Sequence, residues 1–112
     1  MFGTVHVTTR DIALQEPDLV RRFNAAIMRG LAEATTEPAA AADSLAVYNP
    51  PTDVDIAAAE LELMAPYVGP APIGGLERQR VAQMIATLEG AGAVPPGVTP
   101  GDVVAFDLLP GA

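Results

Sequence analysis

The chain has no cysteine, a single histidine and only 4% aromatic residues, and all six of its basic residues are arginine. Without cysteine there is no disulfide framework, no thiol nucleophile and no thiolate metal site, and the redox compartment stays open. Fourteen acidic residues outweigh the arginines to give a net charge of −8. That balance lacks the basic footprint that nucleic acid and anionic membrane surfaces demand, so neither is an expected partner. No apolar run approaches the roughly 18 residues of a membrane span. The opening MFGTVHVTTR has no basic region followed by an apolar stretch, so no signal peptide is expected there.

A length of 112 residues bounds the chain to a single domain or a domain fragment. Half of the residues are apolar, but many of these are alanine, which points to closely packed helices rather than a core of large side chains. The eleven prolines and ten glycines cluster between the helical patterns, as connectors do.

Residues 2–9 alternate, with Val5 and Val7 on one side and Thr4, His6 and Thr8 on the other. This β-branched alternation predicts a short N-terminal strand, which needs a neighbour for its backbone donors and acceptors. A helical turn is expected between Thr9 and Leu14. Glu16-Pro17 and Glu37-Pro38 read as helix openings, because proline is tolerated where the first N–H has no partner. The first main helix is predicted over 17–35, with Leu19, Phe23, Ile27 and Leu31 recurring at four-residue spacing. Asp18 in its first turn suits the helix dipole and can reach Arg21 or Arg22.

A second helix is predicted over 38–48, stopped by Asn49-Pro50-Pro51. A third is predicted over 53–65, with Thr52 as its cap and Asp55 as the acidic partner, ending at Pro66. The fourth, over 76–89, has the cleanest stripe, Val81, Met84, Ile85 and Leu88, and Gly90 or Gly92 suits its C-terminal cap. The proline-rich tail over 94–112 holds a short ordered patch at 102–106. The fold class expected is mainly α, about four helices with one short N-terminal strand.

The residues that could carry chemistry read as structural. Asp43-Ser44-Leu45 is similar to the triplet that bears phosphopantetheine in acidic helical carrier proteins. There the serine opens a long helix after an extended loop, whereas here it falls inside a short one. His6, as a lone histidine, reads as a packing or surface residue, and with no second histidine or cysteine there is no zinc set. Asp53-x-Asp55 starts like a calcium loop but lacks the glycine that follows in one. Glu60 and Glu62 project to opposite sides of a helix and cannot act as paired acid and base. Neither an enzyme activity nor a cofactor nor a metal is expected.

Several phrases match a known family in order and spacing. They are Gly3-Thr4-Val5 leading to Thr8-Thr9, Pro17-Asp18-Leu19-Val20-Arg21-Arg22-Phe23, Arg29-Gly30-Leu31, the run from Pro38 to Ala42, and Tyr48-Asn49-Pro50. Ala59-Glu60-Leu61-Glu62-Leu63 and a late helix ending in Gly90-Ala91-Gly92 continue the series. Together they resemble the C-terminal portion of the substrate-binding proteins of ABC importers, in the type II periplasmic group that takes thiamine precursors, sulfonates, taurine or nitrate.

The resemblance implies that the helices pack on the sheet of one α/β lobe. It also implies a small-molecule ligand, an ABC permease as partner of the parent protein, and Phe2 and Gly3 as the ligand-binding positions nearest the cleft. Other ligand contacts would come from segments outside this chain, so little capture is expected from it alone. The family is periplasmic; a chain without a signal peptide would be cytoplasmic if expressed as written. Uncovered helix faces imply self-association into a homo-oligomer. The alternative reading is a small helical interaction module that dimerises by pairing its N-terminal strand with a second copy.

Overall fold

The computed structural model describes residues 4–68 and 72–111. Among them are six α-helices: α1 Arg10–Gln15, α2 Pro17–Thr36, α3 Pro38–Tyr48, α4 Val54–Met64, α5 Arg78–Gly90 and α6 Pro100–Val103. Two 3-10 turns, Ala65–Tyr67 and Phe106–Leu108, complete the regular structure. The chain divides into two compact units, one comprising Met1–Asn24 with Gly74–Ala112 and the other Ala25–Ile73.

The N-terminal strand is not there. Thr4 to Thr9 is irregular and exposed, and no residue among those described is in a strand. The alternation of Val5 and Val7 with threonine marks a segment suited to a pleated surface. Among the described residues there is no second strand for it to pair with, so no ladder forms. The mainly-α-plus-strand expectation is thereby corrected to an all-helical one, and strand pairing between copies loses its element.

In the first unit, Thr9 caps α1, its hydroxyl accepting from the Ile12 N–H at 3.1 Å. The helix stops at Glu16, and Pro17 opens α2 directly behind it. The Arg21 guanidinium reaches Asp18 at 3.1 Å, one helical turn back. The core of the unit comes from α5 and the last turn: Val81, Ile85 and Leu108 are buried. The α5 stripe supplies two of these three, with Met84 and Leu88 half-buried beside them. Helix α5 ends in a Schellman motif. The Ala93 N–H bonds the Leu88 carbonyl at 2.8 Å and the Gly92 N–H bonds the Glu89 carbonyl at 2.9 Å. Gly92 takes the left-handed conformation this closure needs, with φ 71°.

In the second unit, α3 and α4, both rich in alanine, pack on each other, and Ala42 of α3 is buried. Small side chains let the helices approach but remove little apolar area from water. Larger residues stay outside: Val47 is 76% exposed, Leu63 74% and Ile56 58%. The cap of α4 is Asp53, whose Oδ1 accepts from the N–H groups of Asp55 and Ile56, and not Thr52 as its hydroxyl suggested. The Thr52 hydroxyl is buried without a hydrogen bond. Pro66 sits in a 3-10 turn that follows α4 without a break.

The stripe of α2 stays open to solvent. Leu19 is 49% exposed, Phe23 56% and Ile27 41%, and the helix contains no buried residue.

Candidate functional site

The first unit holds a half-open groove of about 790 Å³. Its apolar wall includes Leu19 and Phe23 of α2, Met84 of α5, and Val104 and Leu109 of the C-terminal segment. Four-residue spacing puts Leu19 and Phe23 on one side of α2. The polar part of the lining is small and is ordered by a chain of three residues.

Asn24 is its centre. Its Nδ2 donates to the Leu108 carbonyl at 3.4 Å, and its Oδ1 lies 2.9 Å from His6 Nδ1. The direction of the first bond settles the second. A carbonyl can only accept, so the amide nitrogen of Asn24 faces Leu108 and the amide oxygen faces His6. That oxygen can also only accept, so Nδ1 of His6 carries the proton. In the neutral imidazole, Nε2 is then an acceptor, and among the described residues no hydrogen bond occupies it. The His6 ring meets Phe23 edge-on, with centroids 5.7 Å apart and planes at 65°.

A second cluster lies at α6, and its Asp102 lines the groove. The Asp102 carboxylate accepts from the Thr99 N–H at 2.8 Å and from the Thr99 hydroxyl at 2.7 Å, across the short helix α6. The N–H bond above all, then the hydroxyl, holds the Asp102 carboxyl below the ordinary aspartate range. Partial desolvation works in the opposite direction, and the Arg10 charge adds a smaller downward pull. The Arg78 guanidinium stacks 4.1 Å above the centre of the Phe106 ring. Arg10 and Asp102 both line the groove, so opposite charges border it.

The residues singled out in the sequence are not gathered here. Phe2 and Gly3, the ligand-binding positions implied by the family resemblance, lie outside the described residues. Ser44 sits on an exposed stretch of α3 in the second unit, away from any helix start. Asp53 is occupied in capping α4, and Glu60 and Glu62 are exposed on that helix. His6 is exposed and lines the groove. Among the described residues, no three histidine, aspartate or glutamate side chains are grouped to hold a metal ion.

Two features had gone unread. Thr99-Pro100-Gly101-Asp102 carries the signature of a capping box with proline at the first helical position, and could have been found. Asn24 gives no local signal, since its partners are 18 and 84 residues away in the chain. No protein-family model, curated protein or solved structure matches the chain.

Proposed function

We propose that this chain is the C-terminal helical part of a solute-binding protein that delivers a small molecule to an ABC importer. Several of the phrases that resemble that group lie on helices of this chain, which is compatible with the reading. Pro17 to Phe23 and Arg29-Gly30-Leu31 lie on α2, the run from Pro38 on α3, and Tyr48-Asn49-Pro50 at the end of α3. The observation that carries the reading is the apolar surface the second unit leaves open. Val47, Ile56 and Leu63 are each more than half exposed on helices rich in alanine. Exposed apolar patches of this kind mark surfaces that another part of a protein covers. In the parent protein the covering element would be the lobe's sheet. The role of these helices is then to support a lobe that closes on its ligand, with the permease as the docking partner of the whole protein.

The isolated chain tests this. It should bind a dye specific for exposed apolar surface and self-associate as its concentration rises, in sedimentation equilibrium. It should show no thermal shift with alkyl sulfonates or nitrate, because other segments supply those contacts. A monodisperse monomer that unfolds cooperatively and leaves the dye dark would contradict the proposal.

A further inference from the structure

We propose that the groove of the first unit binds a small, neutral, planar aromatic molecule carrying one hydrogen-bond donor, such as a phenol or azole N–H, which His6 Nε2 accepts. This goes beyond the importer reading and uses only residues of the first unit. Four observations converge on it.

The first is polarity. The Leu108 carbonyl orients Asn24, Asn24 orients His6, and the chain of bonds ends on an Nε2 lone pair with no hydrogen-bond partner among the described residues. Such an end complements a donor and rejects an acceptor. The second is fit, since a volume of about 790 Å³ lies within the roughly 300–1,000 Å³ of small-molecule sites. The third is the wall, where Leu19, Phe23, Met84 and Leu109 offer apolar surface and Phe23 an aromatic ring. Aromatic pairs add edge-to-face or offset-stacked contact to burial. The fourth is charge. Arg10 and Asp102 border the groove with opposite signs and act on each other, so neither an anion nor a cation is selected.

The preorganisation is what separates this site from a greasy surface. A free imidazole exchanges its proton between the two nitrogens, whereas His6 is held in the Nδ1–H form by the Asn24 oxygen. A ligand donor therefore meets an acceptor already in place, and no tautomer shift accompanies binding. The same logic makes Asn24 a positioning residue, since it acts on the ligand's donor through His6.

The test uses the full chain at pH 8, with 2-naphthol and its O-methyl ether as probes. The two share ring and shape and differ in the donor. Fluorescence titration should show the ether binding roughly tenfold more weakly, as a lost hydrogen bond to an oriented acceptor predicts. In His6→Phe, which keeps a ring at the position, the two probes should bind within about twofold of each other. Long-range proton–nitrogen NMR of His6 should show Nδ1 protonated in the free chain, and its Nε2 resonance should move with naphthol and not with the ether. In Asn24→Ala the Nδ1–H signature should disappear while the chain remains helical by circular dichroism.

Equal binding of the two probes to the native chain would overturn the proposal. So would no binding of either, or an Nε2–H tautomer in the free chain. The first comparison needs no variant and stands even if His6→Phe fails to fold. Self-association, which tests the importer reading, is independent of all three readouts.

Discussion

Asp102 holds Thr99 twice through one atom: Oδ2 accepts both the Thr99 N–H and the Thr99 hydroxyl. Both bonds favour the carboxylate, which is why its pKa is lowered in the folded chain. A depressed folded pKa means that this contribution to stability is complete above the unfolded value and is lost as pH falls through the folded one. In an NMR titration the Thr99 amide should therefore move with a midpoint below that of aspartate in an unstructured peptide carrying the same local sequence. Asp102→Asn should abolish that transition. A midpoint at or above the peptide's would show that the two bonds do not form in solution.

Core and surface apolar residues of similar size should respond very differently to truncation. Ile85 is 6% exposed on α5, and Ile56 is 58% exposed on α4. Ile85→Ala removes buried methyl groups and leaves a cavity, with an expected cost of about 2–5 kcal/mol. Ile56→Ala should change stability by no more than about 0.5 kcal/mol, since its side chain already meets water. Urea unfolding followed by helical circular dichroism reads both. Comparable losses would mean that Ile56 is covered in solution, as self-association through the second unit would bring about.

The α4 cap separates two adjacent candidates. Asp53→Ala should cost about 1 kcal/mol, because it strips the acceptor from the Asp55 and Ile56 N–H groups. Thr52→Val should be neutral or stabilising, since the hydroxyl it removes is buried without a partner. The reverse order in thermal unfolding would restore Thr52 as the cap.

That pair also shows where the sequence is legible. Proline marks a helix start by a rule local to one peptide bond, so Pro17 and Pro38 announce α2 and α3 without help from the rest of the chain. The Val81–Ile85 stripe is likewise written in a single turn-to-turn period. Capping is less sharp, because the Thr52 hydroxyl and the Asp53 carboxylate both offer an acceptor oxygen, one residue apart. Which one caps depends on where the loop after Pro51 turns. The strand expected at 2–9 failed for another reason, since a strand is a relation between two segments and the sequence shows only one of them. The groove was the least legible feature of all. Its ordering element joins His6, Asn24 and Leu108, and hydrogen bonds between residues so far apart leave no periodic trace.

Two glycines with equal space around them should respond with opposite signs to the same substitution. A methyl group added at Gly30 or at Gly92 would meet nothing within 4 Å, so steric clash with neighbours decides neither case. Gly30 lies in the interior of α2 in ordinary helical conformation, where alanine is favoured over glycine by about 1 kcal/mol. Gly30→Ala should therefore stabilise the chain by an amount of that order. Gly92 sits at φ 71°, where an L side chain crowds its own backbone at a cost of about 1–2 kcal/mol. Gly92→Ala should destabilise correspondingly and loosen the Ala93-to-Leu88 closure of α5. Thermal unfolding of the two variants should bracket the native chain. If Gly92→Ala instead rose above it, the left-handed turn ending α5 would not be the conformation in solution.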